Sequence, residues 1–343
     1  MDTRCVNFGL AGIILVILFS LVMLPGSKAA AVAIQSPMAA AAIGGCPVFP
    51  VDNIWNTPVD TIPVHPNSAQ YIAAVGMNGH LHPDFGSGTW NGGPIGIPFN
   101  IVPGNTGKVN FNFTWPGESD SGPYPIPSNP LIEFGSDHHL LVIDQDACKL
   151  YELYNVTAPQ DSQGWKADAG AIFDLHSNAL RPAGWTSADA AGLPMTPGLV
   201  RYDEVLAGHI DHALRFTVIN SKAGYIWPAR HNAPSGATAD SPVMGLRFRL
   251  KASFDISHYS TQAQVILKAL KKYGMIVADN GSSWYISGAP DERWDNNDLG
   301  SLKNIAGSNF EVVDESSLTI TANSAQALNL AIKPRVWISM VIK

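Results

Sequence analysis

The stretch GLVRYDEVLAGHIDHALRFTVINSKAGYIWPARH, residues 198–231, places ionisable residues inside apolar strand patterns. From Ile210 to Val218, apolar and polar residues alternate, which is typical of a half-buried β-strand. The turn-forming segment INSKAG follows, and GYIWPARH then predicts a second strand, in which Pro228 favours an edge or a bulge. The stretch therefore predicts two paired core strands, with His212 on the apolar face of the first.

His212 has two interpretations. A histidine on a core face is most often a hydrogen-bonded structural residue, because buried polar groups normally have partners. The functional interpretation rests on His212, Arg230 and His231 occurring together in one stretch. In that case His212 is a general base, and its loss should damage function more than any other substitution.

Four motifs connect this stretch with the rest of the chain. They are NIWNTPV at 53–59, SDHHLLVIDQDACKLYELY at 136–154, RYDEVLAGHIDHALRFTV at 201–218 and ILKALKKYGMIVADNG at 266–281. In these motifs the chain resembles a family of secreted, functionally uncharacterised bacterial proteins, over nearly all of its mature length. The resemblance implies export but no catalytic residue. Some members of that family occur beside carbohydrate-binding modules, which is an association and not a mechanism.

Composition predicts a β-rich fold. Charged residues make up 14% of the 343 residues, whereas Gly (31) and Pro (25) are plentiful, which suits short strands joined by ordered turns. We see no alternation of strands with crossover helices, and therefore expect a mainly β fold, a twisted β-sandwich or jelly-roll-like body with one prominent helix and several short helices. The prominent helix should begin after a Ser260 or Thr261 cap and end near Gly274.

The N-terminus predicts export. An apolar run from Phe8 to Leu24 follows Arg4 and precedes small residues, as in a signal peptide, with an uncleaved membrane anchor as the alternative. The expected protein is secreted to an extracellular or periplasmic location, or else held at the membrane by this segment alone. The expected organisation is a signal peptide or N-terminal anchor at 1–30, an Ala-rich linker at 31–45 and a single β-rich domain at 46–343, in which 310–343 could form a small β extension.

Two cysteines, Cys46 and Cys148, remain after the export signal. An even pair in an oxidising compartment predicts a disulfide. It would close a loop of about 100 residues and so restrict the unfolded chain.

Several partners and cofactors are excluded or disfavoured. The net charge of −7, with 21 Lys and Arg spread thinly, leaves no basic stripe for nucleic acid. The chain contains no P-loop, no G-x-S-x-G elbow and no H-E-x-x-H motif. His80 and His82 could bind a metal from one side of a strand, but they lack a third ligand at a fixed spacing, so a surface loop is favoured. We expect no metal and no cofactor.

Two function classes remain. An exported enzyme that cleaves a polysaccharide needs a cleft with aromatic side chains and groups that transfer protons. A non-catalytic extracellular module that binds a glycan or a protein needs the aromatic residues but no tuned ionisable pair. We expect the enzyme. The candidate catalytic residues are His212, Arg230, His231, Asp255 and Asp279, and the candidate substrate-binding residues are His139, Tyr225, Trp227 and Trp284.

Two further segments bear on a glycan site. KVNFNFTW at 108–115 predicts a strand with an aromatic face, which is either core or a platform for sugar stacking. Asp137, His138 and His139 come just before an apolar strand, where a loop residue is well placed to serve a site.

Within the enzyme class, the residues slightly favour a uronide lyase over a glycoside hydrolase. A lyase needs a cation or amide to neutralise the sugar carboxylate and a base to take the adjacent proton. Candidates for these roles are Arg215, Arg230, Arg247, His212, His231 and Tyr225. Hydrolysis needs two carboxylates about 5 to 10 Å apart, and nothing in the sequence pairs Asp203, Asp255, Asp279 and Glu292. Candidates that gather in one cleft favour the enzyme, and scattered candidates favour the binding module.

Overall fold

A six-stranded mixed sheet and a four-stranded sheet carry most of the apolar strands. The computed structural model describes residues 42–159 and 164–328. The strands are β1 Ala42–Ile43, β2 Cys46–Pro47, β3 His82–Asp84, β4 Thr89–Trp90, β5 Gly93–Pro94, β6 Phe99–Val102, β7 Lys108–Val109, β8 Phe111–Phe113, β9 Tyr124–Pro125, β10 Leu140–Asp144, β11 Lys149–Tyr154, β12 Trp165–Ala167, β13 Ala169–Asp174, β14 Leu214–Val218, β15 Arg247–Leu250, β16 Met275–Asn280, β17 Tyr285–Ser287 and β18 Phe310–Val312. The α-helices are α1 Ser68–Val75, α2 Tyr202–Ala207, α3 Thr261–Lys272 and α4 Asn296–Ser301.

The mainly β prediction is confirmed. The larger sheet has the order β18-β15-β16-β14-β17-β3 and the smaller one β13-β11-β10-β6. The prominent helix is α3, which Ser260 caps by accepting a hydrogen bond from the backbone N–H of Ala263, as its sequence predicts. The sequence of 136–154 predicts two strands joined by a turn at Asp144 to Ala147, and these form the antiparallel pair β10 and β11. The sandwich or jelly-roll arrangement stays a prediction.

The central strand differs from its prediction. β14 begins at Leu214, its neighbours are β16 (parallel) and β17 (antiparallel), and GYIWPARH contributes only an isolated bridge at Tyr225. The predicted pairing across INSKAG is therefore wrong. Both faces of β14 are covered, since Arg215 is buried along with its apolar neighbours. An alternating pattern assigns residues to faces but does not identify the neighbouring strand.

The structure contains several parallel strand pairs, although the sequence shows no alternation of strands with crossover helices. β14 runs parallel to β16, β10 to β6, β12 to β8 and β17 to β3. The connection from β14 to β16 passes through β15 and α3, so a helical crossover is present after all. The sequence did not show this crossover, because a long loop and β15 separate β14 from the helix α3.

The two arginines of β15 lie in the interior of the protein and not on its surface. Arg247 and Arg249 are both buried. Arg247 donates to the carbonyls of Tyr273 and Ile54 and pairs with Glu315, whereas Arg249 pairs with Glu311. Arginine suits such sites because its planar head can satisfy several acceptors at once. This charge-poor chain therefore uses cations to hold its interior together.

The disulfide prediction is confirmed. Cys46 and Cys148 are bonded, with Cα atoms 5.4 Å apart. β1 pairs with β2, and Ile43 is buried in the main core, so packed structure begins before the predicted boundary at Cys46. β18 pairs with β15 and so belongs to the large sheet. Residues 1–41, which hold the predicted leader and most of the linker, and residues 329–343 lie outside the described part of the chain. All described residues fall in one compact unit.

Among the described residues, no helix combines the length and the apolar character needed to cross a membrane.

Removal of the disulfide should destabilise the fold without changing its architecture. The bond joins residues 102 positions apart, so its loss frees a large loop in the unfolded chain. We expect Cys46→Ser with Cys148→Ser to lower the free energy of unfolding by about 2 to 4 kcal/mol. Urea unfolding of the double variant beside the oxidised parent measures this. Free-thiol titration of the unfolded, unreduced parent should find neither cysteine reactive, and two reactive thiols would contradict the bond.

Candidate functional site

A cleft of about 500 Å³ opens where several strands end. Tyr154 is the last residue of β11, and Asp279 and Asn280 close β16. The loops 115–118, 186–190 and 231–233 and the segment before β10 supply the rest of the lining. The lining residues with polar or aromatic groups are Trp115, Glu118, Asp137, Tyr154, Thr186, Ser187, His231, Asp279 and Asn280.

Asp279 is the carboxyl group at the inner wall of the cleft. Its side chain is 24% exposed and lies 3.8 Å from Arg215, which is itself held by two hydrogen bonds, of 2.9 and 2.7 Å, to the buried Asp189. Burial and the Asp189 carboxylate raise the pKa of Asp279 to about 7, against the opposing charge of Arg215. At and below neutral pH, Asp279 therefore retains a proton that it can donate into the cleft.

His231 lies in the same cleft with a defined tautomer. Its Nδ1 lies 2.8 Å from the carbonyl oxygen of Ala190 and so donates a hydrogen bond there. Its Nε2 faces the Glu118 carboxylate at 3.7 Å. Glu118 in turn accepts a hydrogen bond from the backbone N–H of Thr186. In neutral His231 the Nε2 lone pair is therefore the one that is available to take a proton.

Two aromatic rings form one side of the cleft. Trp115 and Tyr154 are stacked, with ring centroids 6.1 Å apart and an angle of 16° between the planes. Trp115 is 44% exposed, whereas Phe111, on the preceding strand, is buried in a core cluster. The aromatic segment 108–115 therefore supplies both the core and the cleft. An exposed flat ring of this kind can stack against the apolar face of a sugar.

Known proteins do not add to this description. Comparisons of the chain with protein-family models, with curated proteins and with solved structures each gave no match. The resemblance to secreted bacterial proteins stays a prediction.

The structure brings only two of the predicted catalytic residues together, His231 and Asp279. His212 is fully buried elsewhere, with Nδ1 at 2.8 Å from the carbonyl oxygen of Ala213 and Nε2 at 3.1 Å from Glu204. Because both ring nitrogens have partners, His212 fits a structural role better than the general-base role predicted for it.

Arg230 and Asp255 also lie apart from the cleft lining. The buried Arg230 donates hydrogen bonds to the carbonyls of Arg181 and Ala322 and to the Asn323 side chain. Asp255 is exposed and accepts a hydrogen bond from the backbone N–H of Ser257 in its own turn. Neither residue lines the cleft, so neither is placed to act on a substrate bound there.

None of the four predicted substrate-binding residues lines the cleft. Trp284 is fully buried and donates to the carbonyl of Gly76. Trp227 is half-buried and donates to the carbonyl of Ser324, and Tyr225 forms a bridge with Met244. These three aromatic residues therefore pack in or against the main hydrophobic core.

His139 lies directly behind the cleft wall. Its Nδ1 contacts the Glu133 carboxylate, and its Nε2 is 3.0 Å from the carbonyl oxygen of Ala188, a lining residue. Burial lowers the His139 pKa, but the hydrogen bond and charge of Glu133 outweigh burial and raise it overall. Both ring nitrogens lie against acceptors inside the wall, so His139 is not a sugar contact.

The sequence identified some of the remaining lining residues as candidates for a site and missed others. Trp115 and Asp137 stand in segments that were candidates for a site, whereas Glu118 and Tyr154 had no such signal. In the described part of the chain, no group of three or more His, Cys, Asp or Glu side chains could hold a metal ion. His82 instead stacks on Tyr285, with centroids 4.0 Å apart, and burial followed by the charge of Lys303 lowers its pKa to about 4.

Proposed function

We propose that this protein is an exported enzyme that hydrolyses a glycan in the cleft. One observation carries the proposal: a proton-bearing carboxyl, Asp279, and a histidine nitrogen with a free lone pair, on His231, share a cleft with the stacked rings of Trp115 and Tyr154. Glycan hydrolysis needs a proton donor for the leaving oxygen, a proton acceptor for water and a surface that orients the sugar.

The groups can be given roles in a balanced reaction. Asp279 donates its proton to the glycosidic oxygen as the bond between that oxygen and the anomeric carbon breaks. Glu118 and His231 together accept a proton from a water molecule, whose oxygen forms the new bond to the anomeric carbon. Exchange with solvent then returns a proton to Asp279 and removes the proton held by Glu118 and His231. Trp115 and Tyr154 stack against the sugar beside the reacting bond.

Hydrolysis fits the cleft better than the lyase reaction that the sequence slightly favours. Three of the lining residues are acidic (Glu118, Asp137 and Asp279), and none of the described lining residues is Arg or Lys. The three arginines considered for binding a uronate carboxylate, Arg215, Arg230 and Arg247, are buried and already paired. A cleft of this charge would repel a uronate and accept a neutral or cationic glycan.

The second candidate function is binding of an extracellular glycan without cleavage. It is supported by the exposed Trp115 ring and by the separation of His212 and Asp255 from the cleft. The same ring would then hold the sugar, and Asp279 would serve only as a hydrogen-bonding group for it.

A polysaccharide panel tests these proposals. We expect the purified mature protein to release reducing ends from a neutral or cationic polysaccharide, such as xylan, mixed-linkage β-glucan or glycol chitosan, without the ultraviolet absorbance of unsaturated uronides. A His231→Gln variant should bind the same polysaccharide but cleave it far more slowly. Absorbance that rises on pectate or alginate would indicate a lyase instead. Binding with no cleavage would support the binding module, and neither binding nor cleavage would contradict both proposals.

A further inference from the structure

A second depression, here called the aromatic groove, runs along the opposite side of the 133–139 segment from the cleft. It consists of three neighbouring cavities of about 400, 200 and 490 Å³. The first and second share Asp84 and Trp90, and the second and third share Glu133 and Phe134. The shared residues place the three cavities next to one another, and their combined volume leaves room for more than one sugar residue.

The groove presents aromatic rings to solvent. Trp90 is 70% exposed and Phe134 is 50% exposed, and the Tyr285 ring, which also lines the groove, is stacked on the ring of His82 beside it. Exposed large aromatic side chains grouped in one groove are unusual for a soluble domain and often mark a binding surface. Asp84 and Lys303 lie beside them and offer polar groups for sugar hydroxyls.

The backbone is built to hold these rings in place. Trp90 and Gly93 belong to the β4–β5 hairpin, whose turn residues Asn91 and Gly92 have φ values of 51° and 103°. The Phe134 ring lies against Gly93 so closely that an added Cβ there would come within 1.9 Å of it. Because Gly93 has no side chain, the Phe134 ring can pack against the hairpin that carries Trp90.

Only a thin wall separates the groove from the cleft. Glu133 lines the groove and contacts His139, and His139 in turn lies 3.0 Å from the carbonyl oxygen of Ala188, which lines the cleft. The top of the wall is exposed chain, in which Gly135 lines the groove and Asp137 lines the cleft. A flexible polymer could therefore pass over this loop from one depression to the other.

We propose that the aromatic groove binds further sugar residues of the same neutral or cationic polysaccharide chain that is cleaved beside Asp279, so that the enzyme cuts long chains internally. The inference rests on the proposed function and extends it to the length of the substrate. Sugar rings stacked on Trp90 and Phe134 would add affinity for polymers while contributing nothing to a short oligosaccharide that fills the cleft alone.

The test compares a groove variant, Trp90→Ala with Phe134→Ala, with a control variant, Leu206→Ala. Leu206 is 70% exposed, as Trp90 is, but lies on α2 and lines neither depression. Affinity electrophoresis through gels of xylan, mixed-linkage β-glucan and glycol chitosan measures polymer binding. Cleavage rates on the polymer and on its tetrasaccharide measure function. We expect the groove variant to bind polymer about tenfold more weakly and to cleave dilute polymer about tenfold more slowly, with the tetrasaccharide rate and the control unchanged.

The outcomes separate the two proposals. If polymer and tetrasaccharide are cleaved but the groove variant matches the control, the groove inference is wrong and the hydrolase stands. If nothing is cleaved but the parent is retarded and the groove variant is not, the groove is a glycan-binding site and the hydrolase is wrong. A parent protein that no gel retards would overturn the groove inference.

Discussion

Asp279→Asn should lower kcat on the cleaved polysaccharide by about 100-fold or more, because a positioned general acid typically contributes at least that much. Asparagine keeps the shape of the side chain but cannot donate the proton that the raised pKa of Asp279 retains. The fold should survive, since the substitution removes a carboxyl whose ionisation burial already opposes. Circular dichroism and a melting curve check the fold, and initial rates of reducing-end release check kcat.

The pH profile provides an independent test of the same role. A general acid works only while protonated, so kcat/KM should fall as the pH rises through about 7, the pKa to which burial raises Asp279. Asp279→Asn should remove this alkaline limb along with most of the rate. A parent enzyme that becomes faster as the pH rises through 7 would show that Asp279 is not the acid.

Two control variants make the test specific. Asp255→Asn makes the same chemical change at an exposed carboxyl outside the cleft, and it should leave the rate unchanged. His212→Gln should lower the melting temperature, because the buried ring has partners on both nitrogens, while the folded fraction keeps its activity. Full stability with lost activity in His212→Gln would restore the general-base role.

Local features of the fold could be predicted because they depend on local physics. The α3 cap follows from side-chain chemistry, the β10–β11 pair from a short turn, and the disulfide from an even pair of cysteines after a predicted export signal. The neighbours of β14 could not be predicted. The distant strands β16 and β17 complete the backbone hydrogen bonds of β14. The alternation of apolar and polar residues does not indicate which strands will do so.

The candidate site was predicted only in part, for a related reason. Asp279 and His231 were identified because one ends an apolar strand and the other ends an unusual cluster of ionisable residues. Their partners Glu118 and Tyr154 come from segments more than 70 positions away in sequence from His231, and only the tertiary fold brings them together. Conversely, neighbours in sequence such as Arg230 and His231 point to different surroundings, since Arg230 supports the chain at Ala322 and His231 faces the cleft.

The buried pair of Arg215 and Asp189 should have the largest effect on stability. Asp189 has no exposed surface, and Arg215 on β14 makes two hydrogen bonds to it. Arg215→Met would leave Asp189 buried without its cation and next to Asp279, which already resists ionisation because of burial and Asp189. Removal of one partner of a buried ion pair typically costs about 3 to 5 kcal/mol. We therefore expect a loss of this size in urea unfolding.

The double variant Arg215→Met with Asp189→Leu tests whether the pair only stabilises the fold or also sets the pKa of Asp279. Without Asp189 there is no unpaired buried charge, so the double variant should recover much of the stability lost in Arg215→Met. If the pair only held the fold together, recovered stability should bring recovered activity with an unchanged pH profile. We expect a different result: Asp279 would lose Asp189, which raises its pKa, and Arg215, which lowers it, so the alkaline limb of kcat/KM should move away from pH 7. A stable double variant with the parent's pH profile would show that the pair supports β14 and the 186–190 loop without tuning Asp279.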